Sequence, residues 1–154
     1  MSTVKMVQDF LEWNDEHRAI RVYSRFDHCL TEDELVSAFL NSDEIRSLSE
    51  YQILLGFEFS FVSFVNAISG ISPVHLIHST RGSIARTQIS FDELFLGFRQ
   101  YKEKSRVMYF FVPMYELILV LNHDFAVLVF GSECDVLVEY DRAAEKAGLH
   151  IIPA

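Results

Sequence analysis

The stretch VMYFFVPMYELILVLNHDFAVLVFGSECDVLVEYDRAAEKAGLHIIPA, Val107 to Ala154, decides the fold. Two apolar runs, VMYFFVP and YELILVLNHDFAVLVFG, are rich in β-branched and aromatic residues and read as two or three strands. Asn122-His123-Asp124 breaks the second run, and these residue types tolerate the unusual φ of a tight turn. The segment Ser132-Glu133-Cys134-Asp135 then reads as the cap of a helix whose first turns are acidic, and Gly148 stands where a helix C′ glycine belongs. Leu149 to Ile152 reads as one more strand. The passage thus predicts a sheet with a helix laid against it and contains no catalytic motif.

Working outward, Ile20 to Tyr23 alternates as a short strand, and Val74 to Ile77 reads as another. Val4 to Trp13 has helical spacing. Thr31-Glu32-Asp33-Glu34 is a capping box with Leu30 and Leu35 at the staple positions, which predicts a helix over 32–40. A further short helical turn is expected over 43–49. Ser90-Phe91-Asp92-Glu93 repeats the box and predicts a helix to about Glu103, closed by Lys102 and Lys104. Ser79 to Ser83 reads as a loop. Tyr51 to Ile71 is ambiguous: Phe57, Phe59 and Phe61 alternate with polar residues as in a strand, whereas Leu54, Phe57, Phe61, Phe64 and Ile68 fit a helix face. The aromatic content leads to a reading of strand followed by turn or helix. Helices and antiparallel strands come in blocks, so the expected fold is a single α+β domain over 1–154, mainly an antiparallel sheet with helices packed on one face.

The composition fits one domain with a full core: 154 residues, half of them apolar, 14 of them Phe. The first residues, MSTVKMVQDFLEW, lack the basic-then-apolar pattern of a secretory signal. Tyr51 to Ile71 is apolar but carries Gln52, Glu58 and Asn66, which speaks against a membrane span. The expected setting is therefore cytoplasmic, and Cys29 and Cys134, far apart and in no motif, read as reduced thiols. The formal charge is −9. Residues 1–50 hold eleven acids against five bases, and residues 116–146 hold seven acids against Arg142 and Lys146. Phosphate repels such a surface, so nucleic acid is not the expected partner, whereas a basic protein would be steered toward it.

Enzyme signatures are lacking: there is no phosphate-binding glycine loop, no G-x-S-x-G and no H-E-x-x-H. His75 and His78 form the one close His pair, but no carboxylate lies within ten residues of them, and on a strand they would face opposite ways. No cofactor is expected. The basic segment Arg99 to Arg106 lies at a predicted helix end, where cations are favoured locally. The candidate partner-binding residues are acidic: Asp15, Glu16, Glu32, Asp33, Asp43 and Glu44 in the N-terminal part, and Asp135 with Glu139 one helical turn apart near the C-terminus. On that last helix the charged stripe should stand opposite Val136, Val138, Tyr140 and Ala144.

The segment Asp124-Phe125-Ala126-Val127-Leu128-Val129-Phe130-Gly131, with the helix after it and the acidic balance, resembles immunity proteins of bacterial toxin systems. The resemblance covers about a fifth of the chain, and its motif is structural. It implies a non-catalytic cytoplasmic inhibitor that occludes a cognate toxin domain, often a basic nuclease, and it carries no binding residue over. Two other readings stay open. One is a regulatory or phage-type interaction domain that forms a homodimer through a Phe57–Phe64 face. The other is a small-ligand binder or enzyme whose site forms only in the fold, on His75, His78 or Cys29.

Overall fold

The computed structural model describes residues 18–28, 31, 33, 46–78, 83–86, 108–121 and 126–152. Seven strands form one sheet: β1 (Arg21–Ser24), β2 (His75–His78), β3 (Ser83–Arg86), β4 (Met108–Val112), β5 (Leu117–Leu121), β6 (Ala126–Phe130) and β7 (His150–Ile152). Two helices are described, α1 (Leu48–Ile71) and α2 (Val136–Lys146). The strand order is β3-β2-β4-β5-β6-β1-β7, and every pairing is antiparallel. The α+β class is as expected. β4, β5 and β6 form a meander, and β1 is inserted between β6 and the last strand.

The register sorts the side chains cleanly. Met108, Phe110 and Val112 of β4, Leu117, Leu119 and Leu121 of β5, and Val127 and Val129 of β6 share one face with the buried residues of both described helices. The alternate positions Phe111, Ile118 and Val120 join Ile77 in a second cluster on the opposite face. β5 lies in the middle of the order, and all five of its residues are buried. A strand buried on both faces has no reason to alternate, which explains the unbroken LILVL.

Tyr51 to Ile71 is helical throughout, not a strand followed by a turn. α1 has 24 residues and starts at Ser47, whose Oγ accepts from the Glu50 amide at 3.2 Å. Glu50 in turn accepts from the Arg46 amide at 2.7 Å. This is a capping box, shifted by one residue at its return bond. Leu54, Glu58, Phe61, Val65 and Ile68 are buried, at helical spacings of four and three. The alternation of Phe57, Phe59 and Phe61 is overridden by that longer period. Phe59 turns outward and is 58% exposed. The helix ends where the Ser72 amide donates back to the Ile68 carbonyl at 3.1 Å and Pro73 bars continuation. α1 is long and apolar enough to cross a membrane by length and composition. Its buried face belongs to the main core of this domain.

Other boundaries shift. β2 starts at His75, and Ser83, expected to close a loop, opens β3. Of the short turn expected over 43–49, residues 43–45 lie outside the described residues, and Leu48 and Ser49 belong to the start of α1. Asp135 stands at the N-cap of α2 but has helical φ and ψ and makes no capping bond through its side chain. The Leu137 amide bonds to the Cys134 carbonyl instead, at 3.2 Å, so the first turn is satisfied by backbone. The C-terminus is as expected. Gly148 has φ of 81°, its amide donates to Glu145 and the Leu149 amide to Ala144, which is a Schellman motif. The predicted helices over 4–13, 32–40 and 90–103 and the turn at Asn122-His123-Asp124 lie outside the described residues, apart from Asp33, which is helical.

Gly131 closes the meander with φ of 139°. A Cβ there would sit 2.8 Å from Leu117 Cδ2 and 3.0 Å from the Glu116 carbonyl oxygen. Gly131→Ala combines a disfavoured φ with this clash and is expected to cost about 2–3 kcal/mol, read as a lower urea midpoint. An unchanged midpoint would refute the close approach.

Candidate functional site

The fold brings together an acidic end that the sequence divides between two segments. The β4–β5 connection, Pro113 to Glu116, is a tight turn in which the Tyr115 amide donates to Val112 and the Glu116 amide to Pro113. Glu116 then takes a positive φ of 51° to re-enter the sheet. Gly131 packs against the Glu116 backbone, so the turn lies beside the start of the Ser132–Asp135 segment. Glu116, Glu133, Asp135 and Glu139 are all exposed. Two exposed apolar side chains accompany them, Met114 at 64% and Val138 at 54%. Val138 was expected on the buried side of α2. Its place two residues from both Val136 and Tyr140 puts it about 160° away from either on the helix, hence outward.

Of the candidate binding residues, Asp135 and Glu139 are exposed on α2, and Asp33 is exposed elsewhere. Asp15, Glu16, Glu32, Asp43 and Glu44 lie outside the described residues, as do Cys29 and the basic segment Arg99 to Arg106. Glu116 and Glu133 were not among the candidate binding residues of the sequence. Their signal was present, since both border turn segments at the same end of a meander. On α2, Glu139 stands in the first turn and Lys146 in the last, while Glu145 lies beside Lys146 at the C-terminal end. Glu139 and Lys146 therefore complement the helix dipole, and Glu145 opposes it.

Behind this surface lies a polar lock between β1 and α2. The Tyr23 hydroxyl donates to Asp141 Oδ1 at 2.7 Å, and Arg21 Nε lies 3.4 Å from the same oxygen. Arg21 Nη1 also bonds Glu133 Oε1 and the Ile20 carbonyl. Tyr23 is fully buried, and its ring packs at 5.0 Å from Phe64, which meets Tyr140 edge-on at 6.5 Å. The Tyr140 hydroxyl lies 3.4 Å from Ser72 Oγ. Burial, then the bond to Asp141, holds the Tyr23 proton far above the usual tyrosine range. Burial raises Tyr140 and Tyr109 as well. Burial works against the Arg21 charge, but Glu133 and Asp141 outweigh it and strengthen its hold on the proton.

These shifts have a defined pH consequence. A tyrosine whose folded pKa lies above its unfolded value of about 10 leaves stability intact below that pH. Above it, the unfolded chain releases the proton first, and stability falls as pH rises toward the folded value. We expect Tyr23, the most strongly raised, to ionise only as the chain unfolds above about pH 10, with Tyr140 and Tyr109 also titrating above an unburied tyrosine. Phenolate absorbance followed together with circular dichroism checks this. Smooth ionisation of all six tyrosines with the fold intact would contradict it.

His75 and His78 both lie on β2. His75 is paired with Phe111 and so faces the second side of the sheet, with its Nδ1 buried and unpartnered. No group of three metal-ligating side chains occurs among the described residues. Cys134 is a half-buried free thiol.

No protein-family model, curated protein or solved structure matches this chain.

Proposed function

We propose that this chain is a non-catalytic, cytoplasmic binding protein that neutralises a cognate toxin domain by occluding a basic active site of the nuclease kind. The observation that carries the reading is the acidic end of the domain, where the turn that bears Glu116 and the exposed Met114 approaches Gly131, and Glu133, Asp135, the exposed Val138 and Glu139 follow along the chain. Acids with exposed apolar side chains among them offer a basic partner both steering and contact area. These carboxylates stand on a rigid frame. Glu116 follows a tight turn, Glu133 is tied to Arg21, and Asp135 and Glu139 ride on a helix whose Val136, Leu137 and Tyr140 are buried. Little ordering is then needed on binding, which favours affinity. The formal charge of −9 adds a long-range field of the same sign.

The test reads the genes adjacent to this chain's for a secreted protein with a C-terminal effector domain and co-expresses that domain with the chain in cells. The chain is expected to restore growth that this domain abolishes. Growth arrest that persists at full expression of the folded chain would overturn the proposal.

A further inference from the structure

The outer face of α1 carries a stripe that no part of the proposed acidic site uses. Its positions are Leu48, Gln52, Leu55, Phe59, Ser63, Asn66 and Gly70, and none is charged. Leu55 and Ser63 are half-buried and the other five are exposed, Leu48 at 72% and Phe59 at 58%. Successive positions are four, three, four, four, three and four residues apart, the same in both directions, with Phe59 at the centre. Such spacing keeps all seven on one side of a helix. The stripe also pairs large with small about that centre. Turned end over end, Leu48 meets Gly70, Leu55 meets Ser63, Gln52 meets Asn66 and Phe59 meets itself. A Cβ at Gly70 would have nothing within 4 Å, so that position is open to receive a side chain.

We propose that this stripe is the two-fold interface of a homodimer, in which α1 packs antiparallel against α1 of a second copy. A two-fold interface must be complementary to itself, and this palindromic order of bulk supplies that. The amides of Gln52 and Asn66 can each donate and accept across the axis. The pairing further brings the exposed Arg46 beyond one helix start to the C-terminal end of the other helix, whose last turn has no basic residue. That end carries the negative pole of the helix, so the contact is favourable. Charge also selects the occupant. Two copies of a chain with formal charge −9 can meet closely only where neither is charged, whereas a basic partner would leave its cations unpaired on this face. A pair of helices about 36 Å long buries less than a standard interface, so a weak dimer with Kd of about 1–100 μM is expected.

The test uses the full chain with Cys29 and Cys134 replaced by Ser, so that no native thiol competes. Sedimentation equilibrium from about 1 to 300 μM brackets that range and should show concentration-dependent dimer. Phe59→Glu should weaken association at least tenfold, while Val138→Glu on α2 should leave it unchanged. In mild oxidant Phe59→Cys should cross-link at least tenfold faster than Leu48→Cys, because only Phe59 meets its own copy. Circular dichroism confirms that each variant is folded. A wild-type monomer at 300 μM, or equal cross-linking from both cysteines, overturns the proposal. Flotation of a monomeric wild type with phosphatidylcholine vesicles, lost in Phe59→Glu, also overturns it by giving the face to lipid. None of these readouts depends on the toxin-binding reading, and failure of that reading leaves them unaffected.

Discussion

Phe64→Ala is expected to lower stability by about 3–5 kcal/mol, the range for emptying a fully buried aromatic site. Phe64 is completely buried and stands between Tyr23 and Tyr140. It therefore links α1 to β1 on one side and to α2 on the other. Tilted and edge-on ring contacts add to the area term, and both are lost together. The neighbours cannot close over the gap, because β1 is held in the sheet by β6 and β7. A domain of this size has roughly 5–15 kcal/mol in total, so the variant should approach its unfolding threshold at ordinary temperature. Urea unfolding measures the loss. Met114→Ala, exposed in a turn, serves as the control and should change stability by less than about 0.5 kcal/mol. Equal effects at the two positions would mean that the core is not built around Phe64.

Asp141→Ala should cost about 2–3 kcal/mol, well above the usual effect of a surface carboxylate. The reason is the group left behind. Tyr23 is fully buried, and its hydroxyl donates to Asp141 at 2.7 Å. Without that acceptor a buried donor is stranded. Asp141→Asn keeps an oxygen for Tyr23 but loses the charge facing Arg21, and should cost about 1 kcal/mol. Tyr23→Phe removes the donor and should make Asp141→Ala far less harmful. The double-mutant cycle should then show a coupling of about 1–2 kcal/mol. Additive effects would show that the contact contributes nothing to folding.

The strands of the C-terminal third were legible because the run from Met108 to Phe130 has no helical period and is cut by turns. Gly148 was legible because a helix end needs a left-handed residue, and glycine adopts that conformation at least cost. α1 was misread from the alternation of three phenylalanines, although Ser47-Leu48-Ser49-Glu50 spells a capping box directly before the apolar run. Local β propensity lost there to a 24-residue helix whose buried residues, at spacings of three and four, join the main core. Val138 was misplaced by counting apolar residues on α2 without their angles. The acidic end was half legible. Asp135 and Glu139 are neighbours by helical spacing, but Glu116 joins them only through the approach of Gly131 to the β4–β5 turn. Such a contact depends on backbone geometry that side-chain patterns do not record.

The central claim is that the acidic end docks a basic toxin domain. Titration calorimetry with the C-terminal effector domain that an adjacent gene is expected to encode tests it most directly, using the wild-type chain and the triple variant Glu116→Lys, Asp135→Lys, Glu139→Lys. These three carboxylates are exposed and stand apart from the Arg21–Asp141–Tyr23 lock, so the variant should keep its fold. Tight binding is predicted for the wild type, weakened at least a hundredfold in the variant and reduced by added salt. Binding of equal strength by the two chains, insensitive to salt, would contradict the account.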